Sequence, residues 1–256
     1  MQIPIRGLAI TLSAACMLVS WWTPQHTQAS ATTPGSIEQV DGYFVFPNLA
    51  GHLSNAQTVT IVGQHQGDGC SYVLRSHITR LHPVLAQQVV AYSPSTCQER
   101  VEQGVPQDAA TTPVPYILCC GGTPHDRAHQ YSKWTDLAGI RVNSVETFVD
   151  WYWDGNCDLS TTFPAPNYYA LWQTSWYLVS SSDTPYSSCS LASNASTAHF
   201  RNVWFCHIPG DPTDAYYNFN TVDAYPDGSI DGVTWSYVSG GCSGILAPYA
   251  ETRYDF

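Results

Sequence analysis

The chain has 256 residues, only 11% of them charged, and its 9 Lys and Arg against 20 Asp and Glu give a formal net charge of −11. Globular domains carry about 25% charged residues, so this surface relies on Ser, Thr, Asn, Gln and Tyr for solubility. A single lysine, Lys133, and the acidic balance argue against nucleic acid and anionic membrane surfaces as partners, because phosphate binding needs basic side chains; 44% hydrophobic residues is too many for a disordered chain.

Residues 1–29 have the layout of a secretory signal peptide. Arg6 supplies the charge, and Leu8 to Trp22 is an apolar run too short for a membrane span of roughly 20 residues. Small-x-small triplets allow cleavage after Ala29 or Ala31. No later stretch has membrane length, so the mature chain is expected to be secreted with no membrane insertion. Residues 30–42, rich in Ser, Thr, Ala and Pro at their start, are expected to be a flexible leader, and residues 43–256 a β-rich domain. If that domain divides, Pro106 to Pro115 is the place.

Short strands are expected at Tyr43 to Phe46, at the β-branched run Thr58 to Val62, at Ser71 to Leu74 after a Gln66-Gly67-Asp68-Gly69 turn, and at Val89 to Tyr92. Ser93-Pro94 resembles a helix cap with proline at the first position, and Gly104 with Pro106 resembles a stop, which predicts a helix between them. Thr123-Pro124-His125-Asp126 predicts the start of a second, short helix. After Tyr131 the pattern is β. Val145, Thr147, Val149, Trp151 and Trp153 alternate with period two, as do Tyr168, Ala170, Trp172, Thr174, Trp176 and Leu178. Runs around 200–204, 215–221 and 233–237 follow, with Pro226-Asp227-Gly228 as a hairpin turn between the last two. The sum is an antiparallel β-sandwich or barrel-like fold with one or two short helices, stabilised by disulfides.

Removing the signal removes Cys16 and leaves Cys70, Cys97, Cys119, Cys120, Cys157, Cys189, Cys206 and Cys242. An even count in a secreted chain suggests four disulfides. Pairing of sequence neighbours would join Cys70 to Cys97, Cys157 to Cys189 and Cys206 to Cys242, but it forces a bond between the adjacent Cys119 and Cys120. Separate partners for those two are therefore preferred, with Cys70 and Cys97 as the candidates.

Several residue groups carry candidate chemistry. His125 and His129, four apart on a helix, would share a face suited to a metal, although Asp126 stands where the zincin motif has Glu. Asp227-x-Ser229-x-Asp231-Gly232 opens like a calcium loop but has Val238 at its twelfth position. Asp154-x-Asn156-x-Asp158 has similar spacing, so a structural Ca²⁺ is an open expectation. Gly240-Gly241-Cys242-Ser243-Gly244 lacks the following helix of a nucleophile elbow, and no catalytic residue can be named.

The aromatic load after residue 150 is the most distinctive signal. Exposed Trp and Tyr beside Asn, Asp and Gln suit sugar rings. The leading expectation is a non-catalytic module that binds carbohydrate or another cell-surface ligand. Its ligand face would carry Asp150 and Tyr152 on one strand and Tyr168, Trp172 and Trp176 on the next. Val149, Trp151 and Trp153 would fill the core. The alternative is a secreted hydrolase, acting through a metal on His125 and His129 or through an Asp pair on a glycan.

Overall fold

The computed structural model describes residues 38–41, 43–46, 53–109, 113, 117–119, 122–205 and 211–255. The expected signal peptide, the start of the leader, Cys120 and Cys206 lie outside them, as does the side chain of Cys119. Among the described residues no helix is long and apolar enough to cross a membrane.

The first part of the chain forms β1 (Glu38–Val40), β2 (Tyr43–Val45), β3 (Leu53–Val62), β4 (Gln64–Gln66), β5 (Gly69–Ile78), β6 (Val84–Ser93), β7 (Gln98–Pro106) and β8 (Ile117–Cys119). There follow β9 (Thr123–Thr135), β10 (Arg141–Trp153), β11 (Asp158–Thr162) and β12 (Asn167–Ala170), then β13 (Trp176–Ser188), β14 (Leu191–Asn202), β15 (Thr213–Ala224), β16 (Ile230–Ser239) and β17 (Ala247–Asp255). Every pairing is antiparallel. The larger sheet runs β1-β2-β6-β17-β9-β10-β11, with β3, β7, β8 and β12 attached beside this path; the smaller runs β13-β14-β15-β16-β5-β4. The fold is therefore mainly β, and the described residues form two antiparallel sheets and no closed barrel, as in a sandwich. β1 pairs with β2, so the end of the expected leader, 38–40, is a strand.

Side chains on a strand alternate between faces, and that alternation places the core between the sheets. At one end, Val149, Trp151 and Trp153 of β10 meet Ala192, Val222 and Ile230 of the smaller sheet. At the other, Trp134, Val142 and Val145 meet Phe200, Tyr217 and Val238. Gly228, in the β15–β16 turn with φ +81°, lies so close to Trp153 that a Cβ there would fall 2.9 Å from the indole.

The middle of the sandwich is polar. Asn220 on β15 is fully buried. Its Oδ1 accepts from the hydroxyls of Ser132 (2.6 Å) and Thr234 (2.7 Å), and its Nδ2 donates to the Gln130 carbonyl (2.8 Å) and Thr147 Oγ1 (3.0 Å). Thr147 also donates to Ser196 Oγ at 2.9 Å, Gln130 Nε2 donates to Thr234 at 2.9 Å, and Thr252 donates to Gln130 Oε1. Buried polar groups are tolerated when each finds a partner. Gly232 admits this network, because a Cβ there would lie 2.1 Å from Gln130 Oε1.

Four expectations are corrected. The segment after Ser93 is no helix. Ser93 O accepts from Thr96 N at 3.3 Å in a turn, and β7 follows with β6 as its hairpin partner; Ser and Pro favour turns as much as helix starts. Thr123–Thr135 is a strand too, and its inward positions include Asp126, Gln130 and Ser132, which conceals the period of two. The run 168–178 is broken at a 3-10 turn, Trp172–Thr174, closed by Ser175 at φ 66°. β12 before it belongs to the larger sheet and β13 after it to the smaller. Finally, Cys70 bonds Cys97, and Cys157 bonds Cys189, with Cα separations of 5.5 and 4.4 Å. Cys70 and Cys97 are therefore not the partners of Cys119 and Cys120. Cys242 is disulfide-bonded as well.

Candidate functional site

The outer face of the larger sheet gathers three of the sequence-predicted residues, Asp150, Tyr152 and His125. Val149, Trp151 and Trp153 point inward, so Asp150 and Tyr152 point out, opposite Arg127 and His125 on β9. Asp150 Oδ1 lies 2.5 Å from His125 Nε2, and its Oδ2 accepts from Arg127 at 3.1 Å. The His125 and Tyr152 rings stack at 4.2 Å.

His129 is buried, with Nδ1 2.8 Å from Asp255 and 3.6 Å from Glu146. Four residues of extended strand separate His125 from His129 by roughly 13 Å, and each imidazole has its own carboxylate. Among the described residues, the one cluster with metal-ligand spacing is His65, Cys70 and Cys97, and its two sulfurs are bonded to each other. On the inward side of β9, the Arg80 guanidinium pairs with Asp126. Burial pushes that carboxyl up to about 6 against the pull of Arg80.

The other predicted residues are dispersed. Tyr168 is partly exposed and donates to the Ser182 carbonyl at 3.3 Å. Trp172, on the 3-10 turn, is 74% exposed, whereas Trp176 is 1% exposed and fills the core. Asp227 Oδ1 accepts from Ser229 N (2.8 Å) and Oγ (2.6 Å). Asp231 instead faces His77 Nδ1 at 2.6 Å and accepts from Tyr225 at 2.9 Å.

The outer face of the smaller sheet holds a group that the sequence did not single out. On β16, Gly232, Thr234, Ser236 and Val238 point inward, and Val233, Trp235 and Tyr237 point outward. The aromatic side of this strand is thus the side away from the core. Tyr237 pairs across the sheet with Tyr216, and Tyr216 with His199. The three rings stack at 4.5 and 4.3 Å with interplanar angles of 12° and 11°, so they present their edges outward. Asp214 closes the row, 2.5 Å from His199 and 2.8 Å from Arg201 Nε.

In the next row Trp235 lies opposite Phe219 and Val73. The Trp235 and Phe219 rings meet edge to face, 5.4 Å apart at 68°. Together with Val73, Arg75, Gln64 and Ser71 they line a groove of about 340 Å³. A mixture of apolar faces and a few polar groups is the usual chemistry of a small-ligand site. The sequence showed that Val233, Trp235 and Tyr237 share one face of a strand, and the burial of Thr234 and Ser236 shows that face to be the outer one.

Compared with family models, with curated proteins and with solved structures, the chain finds no match in any of the three.

Proposed function

We propose that this is a secreted, disulfide-bonded protein that binds carbohydrate, and that the groove at Trp235 and Phe219 is its sugar-binding site. The observation that carries this reading is the inversion of β16, with its aromatic residues outward and its hydroxyl residues inward. Trp235 is half-buried beside the exposed Val62 and Val73, and apolar patches left open to solvent commonly mark binding surfaces. A sugar ring stacks its CH face on an aromatic ring, while the exposed Arg75 and Gln64 supply hydrogen bonds to hydroxyls. Secretion is supported by the apolar run of residues 8–22 and by disulfides, which persist in oxidising compartments. The hydrolase alternative draws less support, because His125 and His129 stand apart and Asp150 is committed to His125 and Arg127.

Titration of tryptophan fluorescence with a panel of oligosaccharides tests the reading. Trp235→Ala should abolish binding and keep the wild-type melting temperature, and Trp172→Ala should leave binding intact. No response to any glycan, or binding that survives Trp235→Ala, would refute it.

A further inference from the structure

A second cleft, on the opposite side of the sandwich, has a different chemistry. It measures about 420 Å³ and opens on the outer face of the larger sheet, within the range of roughly 300–1,000 Å³ usual for small-ligand sites. Gln88 on β6, Tyr249 on β17 and Lys133 on β9 are cross-strand neighbours in one row along its floor. Glu251 lies one row along, beside Tyr131, and Asp108 is at the rim.

Two groups in this cleft lack the partners their chemistry requires. Lys133, the only lysine, holds its ammonium 4.3 Å from the Tyr249 ring centre and 6.0 Å from that of Tyr131. No carboxylate among the described residues lies within ion-pairing distance of it. Gln88 is 4% exposed, yet its Oε1 is buried with no hydrogen-bond partner. A buried acceptor without a donor is costly, and a half-buried cation with rings as its nearest neighbours, Glu251 and Asp108 acting on it only from beyond ion-pairing distance, is incompletely satisfied. The cleft therefore lacks one anion and one hydrogen-bond donor. Glu251, which accepts from the Tyr249 hydroxyl, and Asp108 make a positively charged donor preferable to a neutral one.

We infer that this cleft binds a free α-amino acid, with the ligand carboxylate on Lys133 and the ligand ammonium on Gln88 Oε1 and the nearby carboxylates. A zwitterion supplies both missing partners and adds no net charge to the site. The tyrosine rings, Leu53 and Pro106 are the walls that meet the ligand side chain. The site is independent of the sugar groove on the other sheet.

Isothermal titration calorimetry of the full mature chain against the common α-amino acids tests this, with the matching α-hydroxy acids and simple amines as controls. At least one amino acid should bind, and its hydroxy-acid and amine counterparts should bind at least about tenfold more weakly. Lys133→Met and Gln88→Met should each weaken the amino acid by about tenfold or more. Both variants should melt near the wild-type temperature, because methionine keeps the apolar packing of either side chain while removing its polar head group. Absence of binding by every amino acid, equal binding of the hydroxy acid, or undiminished binding in both variants would overturn the assignment. Trp235→Ala should leave amino-acid binding unchanged, which separates failure here from failure of the carbohydrate reading.

Discussion

Replacement of Asn220 by alanine is the most direct test of the polar middle layer. The side chain is fully buried and makes four hydrogen bonds that join β15 to β9, β10 and β16. At about 1 kcal/mol net for each bond, the loss is roughly 4 kcal/mol. The Ser132 and Thr234 hydroxyls retain one another, 2.5 Å apart, which moderates the loss, while the Gln130 carbonyl loses its Asn220 donor. The expected destabilisation is about 3–5 kcal/mol, a large part of the roughly 5–15 kcal/mol that holds a domain together. In a domain of this size that lowers the melting temperature by roughly 6–20 °C. Calorimetric melting of the disulfide-intact protein measures it, with Asn167→Ala as control. Asn167 is exposed and bonds Glu146 at 3.0 Å, so its loss should cost less than about 1 kcal/mol. A change below about 1 kcal/mol for Asn220→Ala would show that the network is tolerated rather than stabilising.

Two further outcomes follow from burial. Trp151→Ala should destabilise by roughly 3–5 kcal/mol as a core deletion, whereas Tyr152→Ala, which loses mainly a stack on His125, should cost about 1 kcal/mol or less; urea unfolding of both variants decides, and the reverse order would mean that the faces of β10 are misassigned. Glu99 is fully buried, and burial raises its pKa well above the usual 4.5, with the nearby Tyr72 hydroxyl opposing the rise in part. The neutral acid is favoured in the folded state, so the stability it contributes is complete below 4.5 and is lost as the pH rises through the folded pKa. Unfolding free energies at acid and at alkaline pH should therefore converge in Glu99→Gln relative to wild type, and an unchanged pH profile would refute the assignment.

The strands legible in the sequence were those whose inward residues are apolar. Val145 to Trp153 alternates visibly because its inward side carries Val149, Trp151 and Trp153, and the Pro226-Asp227-Gly228 turn follows directly from residue type. β9 was obscured because Asp126, Gln130 and Ser132 point into the sandwich. β17 was missed for the same reason: its inward Ala250, Thr252 and Tyr254 carry no apolar signature, although the strand lies between β6 and β9. Asp150 and Tyr152 were placed on the wet face by their polarity, and they lie there. Trp235 was visible only as one aromatic among many, since a period of two says which residues share a face and not which face is inside. The Lys133 cleft depends on β6, β9 and β17 meeting in one sheet, which no local pattern encodes.

The position of β17 also bears on how the chain is made. Thr135, the last residue of β9, donates a hydrogen bond to Ala247 at a separation of 112 residues. Until residues 247–255 have been synthesised, β6 and β9 both expose an unpaired edge, and the larger sheet cannot close. Such non-local pairing is slow to form, and open edges invite association with other chains. The insertion that completes the larger sheet therefore waits for its last strand. The same delay leaves a window in which chaperones that cover open strands have a target, and shortening or mutating β17 would be expected to hold the protein in that state.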